Sequence, residues 1–196
     1  MGILPVSPTV ILWESGNQWT FFQNNMAVIE ITKIKVKNSL ADVWYDEIYE
    51  DNNREGKYVN GAYLIHKDFQ NAIDAFKPHF AKLLDLREGD IIKKKIEDYH
   101  EEAFANLVIS GITFGGVGDD FGVCIVGTKT IRGGKVIPQN TPFEKVFDDN
   151  SDYKFRDHLN DCILRAKYEA EEYIINKKHR IGQMSIDYQD QAKDME

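Results

Sequence analysis

The chain is poor in cysteine and contains no long hydrophobic run. Its two cysteines among 196 residues, Cys124 and Cys162, lie far apart in apolar surroundings. This pattern is typical of packing thiols in a reducing compartment, not of a disulfide framework or a metal site. No apolar run approaches the roughly 18 residues that a transmembrane helix requires. We therefore predict a cytoplasmic protein that does not span a membrane.

Positive charge is also scarce. The chain has 24 Lys+Arg against 32 Asp+Glu, which gives a net charge of −8. Nucleic-acid binding needs a cationic face that neutralises phosphates, so this balance disfavours a general nucleic-acid binder. Anionic membranes and acidic substrates are disfavoured for the same reason. A local basic strip remains compatible with the overall charge.

The composition changes near residue 26 and again near residue 177. Residues 1–25 lack Lys and Arg and carry almost no charge, which does not fit a signal peptide. They are either an N-terminal extension, with Met26 as the natural start, or an added edge strand around Thr9–Trp13. Residues 26–176 are predicted to form a single domain, and residues 177–196 a polar C-terminal tail that frays.

The first half of the domain shows strand patterns followed by helical patterns. Apolar residues alternate from Val28 to Val36, and the turn at Asn38-Ser39 leads to a second alternating arm. A third strand is predicted over Tyr58–Ile65. An apolar stripe from Phe69 to Leu84 then predicts a helix capped by Asp68. Pro78 makes this either a kinked helix or two short helices abutting at Lys77.

The second half of the domain again shows strand patterns followed by a helical pattern. Asp90–Glu102 is predicted to form an exposed helix. Strands are predicted over Leu107–Phe114 and Phe121–Ile131, joined by a glycine-rich reversal, with a short strand at Val136-Ile137. A long helix capped by Asp152 follows. The sequence therefore predicts an α+β fold, with an antiparallel sheet from two hairpin units, each followed by a covering helix.

Known chemical motifs are absent or incomplete. The segment GGVGDDFG lacks the spacing of a phosphate-binding loop, and its aspartates would repel a phosphate, so we interpret it as a hairpin tip. Asp148, Asn150 and Asp152 have calcium-loop spacing but lack the required glycine and glutamate. There is no nucleophile motif.

The histidines follow no zinc spacing and are expected to be scattered on the surface: His66, His79, His100, His158 and His179. We predict no catalytic residue, cofactor or metal.

Two surface patches are candidates for binding. The stretch VWYDEIYED presents an aromatic residue with carboxylates, which would suit a basic protein surface: Trp44, Asp46, Glu47 and Glu50. The alternative is that the aromatic residue packs under a helix. Lys33, Lys35 and Lys37 share one face of a strand and could follow a nucleic-acid backbone, or they could instead protect a sheet edge from pairing.

In linear order, ITKIKVKN, FQNAIDAFKPHFAKLLDL, VISGITFGGVGDDFGVCIVGTKTI and NTPF, followed by a final Tyr- and Ala-containing helix, resemble short phage and prophage proteins of early or replication-module regions. The resemblance covers about Ile29 to Ile175 and carries no functional residues. It implies viral or prophage origin and a role near phage DNA metabolism or host interference.

Three functions are consistent with these observations. The leading hypothesis is a non-enzymatic interaction protein that binds a protein partner. The second is an accessory single-stranded DNA binder that uses the three lysines with aromatic stacking. The third is a small hydrolase or nuclease whose carboxylates converge only in the folded chain.

Overall fold

The computed structural model describes residues 27–92, 95–96, 101–148 and 152–179. They form an α+β fold in which a seven-stranded antiparallel sheet carries helices on one face, as predicted. The strands are β1 (Val28–Lys37), β2 (Leu40–Ile48), β3 (Arg54–Val59), β4 (Leu107–Gly115), β5 (Gly122–Thr130), β6 (Val136–Asn140) and β7 (Glu144–Lys145). The helices are α1 (Lys67–Asp74), α2 (Lys77–Leu83) and α3 (Arg156–Ile174).

The strand order is β3-β2-β1-β4-β5-β6, and β7 pairs with the beginning of β5. The β1–β2 hairpin closes through Asn38 and Ser39, whose φ angles of 52° and 59° are left-handed. Two-residue turns of this kind match the twist of paired strands, which confirms the predicted turn. Strand β1 also pairs with β4, so the two predicted hairpins join into one continuous sheet.

The helical region after β3 follows one of the two predicted alternatives. Two short helices abut, and Pro78 lies in the first turn of α2, where its missing N–H costs no hydrogen bond. The predicted cap was wrong: His66 precedes α1, and its ring Nδ1 accepts the backbone N–H of Asp68 at 3.2 Å. Asp68 instead lies inside the first turn.

Several element boundaries differ from the predictions. Strand β3 ends at Val59, and α3 begins at Arg156 after Phe155, without a side-chain cap from Asp152. Within the described part of Asp90–Glu102, the helical residues belong to short 3₁₀ turns, among them Arg87–Ile91 and Glu101–Phe104. Strand β7 was not predicted, because two residues are too few to show alternation.

The core lies between the helices and the inner face of the sheet. Ile34, Ile112 and Ile125 project from the central strands and are fully buried. Phe80 of α2 packs directly on β5 at Gly127, where an added Cβ would lie 2.9 Å from the ring. This close approach fixes α2, and with it the neighbouring His79, over the sheet.

The ends of the chain fall partly outside the described residues. Residues 1–25 and 180–196 are not among them. The first residues of the predicted tail, however, pack on the domain: Lys178 contacts Asp68 and Glu169 at 2.9 and 3.0 Å, and His179 forms a bridge with Ile65. None of the helices seen in the described ranges has the length and apolar character needed to cross a bilayer.

Candidate nucleic-acid interface and a buried histidine–cysteine cluster

The sheet has an outer face that no helix in the described part of the chain covers. Alternation along β1 places Lys33, Lys35 and Lys37 on this face, and alternation in β2 and β3 adds Trp44 and Tyr58. We call these five residues the open sheet face. All three lysines are exposed.

The lysines of the open sheet face have no ionic partner among the described residues. Every ion pair found in those residues involves other cations. Lys129, by contrast, lies on the helix side of the sheet and contacts Glu88 at 2.7 Å. The ammonium groups on the outer face are therefore available to an external anion.

Aromatic rings lie directly beside these lysines. The rings of Trp44 and Tyr58 are 4.8 Å apart and inclined by 33°. The Lys33 Nζ lies 4.9 Å from the centre of the Trp44 ring, within the range of a cation–π interaction. Tyr58 is 49% exposed, so its ring offers a platform on which another ring can stack.

The other end of the same face is ion-paired and carries a net negative charge. Arg54 of β3 contacts Glu30 at 2.9 Å and Asp46 at 3.7 Å. The single Arg54 charge compensates one of the two carboxylates and leaves this group with a net charge of −1. The face thus divides into an ion-paired end and a lysine end, and at the lysine end Asp42 of β2 lies opposite Lys35.

The predicted acidic patch is not a single surface. Trp44 and Asp46 point to the outer face, whereas alternation places Glu47 on the opposite face. Lys57 and Tyr49 donate hydrogen bonds to the Glu47 carboxylate at 2.6 and 2.9 Å and lower its pKa. Glu50 is exposed in the turn after β2.

A second constellation lies on the helix side of the sheet. His79 from α2 meets His158 and Cys162, which are one turn apart on α3. We call these three residues the histidine–cysteine cluster. His79 is completely buried, Cys162 is buried and His158 is half-buried. The expectation of scattered surface histidines was therefore wrong for His79.

The polar atoms of this cluster converge on one another. His79 Nε2 lies 2.8 Å from His158 Nδ1, and the Cys162 Sγ lies 3.8 and 3.7 Å from those two nitrogens. The second ring nitrogen of His79, Nδ1, is 2.6 Å from the Tyr153 hydroxyl. Every nitrogen of the buried imidazole thus has a polar neighbour, as burial requires.

Burial keeps His79, Cys162 and Tyr153 uncharged. Removal from water, with a smaller contribution from His158, lowers the pKa of His79 to about 3. Burial also raises the pKa of the Cys162 thiol to about 12 and raises that of the Tyr153 hydroxyl. A thiol protonated at neutral pH is not an activated nucleophile. Two imidazoles beside a thiol are, however, a set of metal ligands.

The other predicted sites do not assemble in the described residues. The glycine-rich segment forms a hairpin tip, where Asp120 pairs with Lys145 at 2.7 Å. Asn150 of the calcium-like spacing lies outside the described residues. The histidine–cysteine cluster is the one group of three or more potential metal ligands there, so no set of three carboxylates converges in that part of the chain.

Comparison with known proteins identifies no relative. No family model, curated protein or solved structure matches this chain. The interpretation of both sites therefore depends on their geometry and chemistry.

Sequence reasoning found the lysines but missed the cluster. Lysines on alternate positions of a strand are visible in the sequence as a pattern of period two. His79 and Cys162 are 83 residues apart, and nothing local connects them. A usable signal was the i, i+4 spacing of His158 and Cys162, which places both on one side of a helix.

Proposed function

We propose that the protein is a non-catalytic binding protein that contacts single-stranded DNA through the open sheet face. The observation that carries this proposal is the row of lysines, which have no ion pair with any residue that the structure describes, beside the Trp44–Tyr58 ring pair. Proteins that bind single strands without sequence preference combine cations that follow the backbone with rings on which bases stack. Both components occur here on adjacent strands.

The dimensions of the row suit an extended strand. Residues on one face of a β-strand repeat about every 6.8 Å, so Lys33 to Lys37 span about 14 Å. This length allows the ammonium groups to follow several phosphates. Tyr58 lies two strands away from the lysine row, where an unstacked base can reach its exposed ring.

The net charge of −8 disfavours DNA binding, but its distant part acts weakly. At physiological ionic strength charges are screened over about 8 Å, so a ligand on the lysine end senses mainly the charges near it, which are the three lysines and Asp42 opposite Lys35. Three contacts are few, however, and binding to single strands then changes with salt with a slope of about −2 on logarithmic axes. We therefore expect a modest affinity that falls about 16-fold between 50 and 200 mM salt. The resemblance to phage replication-module proteins is compatible with this activity.

A protein partner is the second candidate function, and a different surface favours it. Leu164 and Tyr168 lie one turn apart on α3 and are 59% and 58% exposed. Large apolar side chains at i and i+4 on an exposed helix face form a stripe that another protein can cover. In this case substitutions at Leu164 and Tyr168, and not those on the open sheet face, abolish the interaction.

Fluorescence anisotropy with a labelled oligo(dT) of about 15 nucleotides tests the first proposal. We expect binding at low salt that weakens with a slope near −2 as salt is raised. Exchange of Lys33, Lys35 and Lys37 together for Gln should remove measurable binding. Tyr58→Ala should weaken it by about 5- to 150-fold, because stacking contributes about 1–3 kcal/mol per base.

A matched variant controls for net charge. Lys67, Lys135 and Lys154 are exposed lysines outside the open sheet face, and their joint exchange for Gln removes the same three charges. This variant should bind within about threefold of the unmodified protein. Absence of binding at low salt, or an equal loss in both triple variants, contradicts the proposal.

A further inference from the structure

We propose that His79, His158 and Cys162 form a binding site for Zn²⁺. Each residue offers one ligand atom, and the three atoms lie within 4.8 Å of one another. Imidazole nitrogen together with thiolate sulfur is the ligand combination that zinc takes in proteins. The site is separate from the open sheet face, because the cluster lies under the helices on the other side of the sheet.

The distances are close to those of a tetrahedral centre. Zinc–nitrogen bonds of about 2.0–2.1 Å and a zinc–sulfur bond of about 2.3 Å place nitrogen and sulfur about 3.5–3.6 Å apart. The observed separations from the Cys162 sulfur are 3.7 and 3.8 Å. The two nitrogens, 2.8 Å apart, must separate by about 0.5 Å to reach the tetrahedral spacing. A half-buried side chain such as His158 has room for this movement.

An outer partner orients the buried ligand. Histidines that bind metals usually donate their other ring N–H to a neighbouring oxygen, which fixes the tautomer and the direction of the ring. His79 Nδ1 has such an oxygen in Tyr153 at 2.6 Å. When Nδ1–H donates to this hydroxyl, the Nε2 lone pair points at His158 and Cys162.

Metal binding changes the protonation of the cluster in a defined way. The Cys162 S–H bond breaks, the sulfur forms a bond to Zn²⁺ and one proton is released to solvent. A neutral His158 that gives up the proton between the two imidazoles takes one on its distal nitrogen, and this exchange releases no net proton. Three protein ligands leave the fourth tetrahedral position for a water molecule. Affinity should therefore fall as the pH is lowered.

Cobalt titration of the metal-free full-length protein tests this proposal directly. Co²⁺ occupies zinc sites and reports its ligands by absorption. We expect one equivalent of Co²⁺ to produce visible bands of tetrahedral cobalt and a thiolate-to-cobalt charge-transfer band in the near ultraviolet. Both should disappear when Zn²⁺ is added. Zn²⁺ in about 100-fold excess over its dissociation constant should also raise the melting temperature by about 5–10 °C.

The two cysteines supply a matched pair of variants. Cys162→Ser should lose the charge-transfer band and the thermal shift. Cys124→Ser should keep both, because Cys124 lies on β5, where its thiol donates to the Thr141 carbonyl oxygen. His158→Gln should weaken binding at least tenfold. Bands that persist in Cys162→Ser, or that vanish in Cys124→Ser, overturn the proposal.

A measurement on the unmodified protein removes any dependence on the folding of the variants. X-ray absorption of the zinc-loaded chain should show one sulfur at about 2.3 Å and nitrogen or oxygen neighbours at about 2.0–2.1 Å. Binding of less than one equivalent in the presence of a weak chelator, or a zinc shell without sulfur, means that the cluster is a hydrogen-bonded part of the core. That result leaves the proposal for single-stranded DNA unaffected.

Discussion

The two faces of the sheet use similar residues in opposite ways. On the helix side, His79 and Tyr153 are joined by a hydrogen bond of 2.6 Å, and the imidazole is completely buried. On the outer side, Lys33 and Tyr58 flank Trp44 on an exposed surface. Buried polar groups need hydrogen-bond partners within the protein, whereas exposed polar groups can also bind a ligand. The same chemistry therefore contributes to stability on one face and is available for binding on the other.

A matched pair of hydroxyl deletions gives the largest expected difference between the faces. Tyr153→Phe removes the partner of the buried His79 Nδ1 and should lower the free energy of unfolding by about 1–3 kcal/mol. Tyr58→Phe removes a hydroxyl on the exposed face, where its contact with Asp42 is open to solvent, and should have the smaller effect. Urea denaturation at pH 7 in the presence of a chelator measures both. Equal changes in the free energy of unfolding would mean that the buried hydrogen bond contributes no more to stability than the exposed hydroxyl does.

The contrast also shows which parts of the fold can be predicted from the sequence. Most strands of the sheet, though not β7 or the bounds of β3, and the break at Pro78 follow from alternation and from the geometry of proline, which are local properties. The caps at His66 and Phe155 were not predicted, because several residues near each helix start are able to fill that position. The pairing of β1 with β4 depends on contacts between distant segments, and so does the convergence of His79 with α3.

The ion pair of Lys129 with Glu88 provides the next comparison, because its contribution to stability depends on pH. Glu88 accepts hydrogen bonds from Lys129 and Asn106, both at 2.7 Å. Burial opposes its ionisation, but these bonds outweigh burial and lower the pKa of the Glu88 carboxyl. The ionised carboxylate thus stabilises the folded state above the unfolded pKa of about 4.3, and this contribution is lost as the pH falls through the lower folded value.

We expect Glu88→Gln to lower the free energy of unfolding by about 1–2 kcal/mol at pH 7. The difference from the unmodified protein should shrink as the pH falls below about 4.3, since the native carboxyl then also becomes neutral. Chemical denaturation at several pH values gives the two curves. A difference that is constant with pH would assign the loss to packing instead of charge.

The smallest expected effects concern the stability contributed by the lysines of the open sheet face. Lys35 and Lys37 have no ion pair with a described residue, so Lys35→Gln and Lys37→Gln should each change the free energy of unfolding by less than about 0.5 kcal/mol. Lys33→Gln should cost about 0.5–1 kcal/mol, because Lys33 loses its contact with the Trp44 ring at 4.9 Å.

These small values separate a binding role from a structural one. If the three lysines stabilised the folded state, the triple variant would lose stability in proportion to its loss of DNA binding. Urea denaturation of the single and triple variants, beside the anisotropy titration, makes the comparison. A loss above about 2 kcal/mol in the triple variant exceeds what one exposed cation–π contact supplies and would mean that weakened DNA binding reflects a damaged sheet. Unchanged stability with lost binding instead assigns the three charges to the ligand.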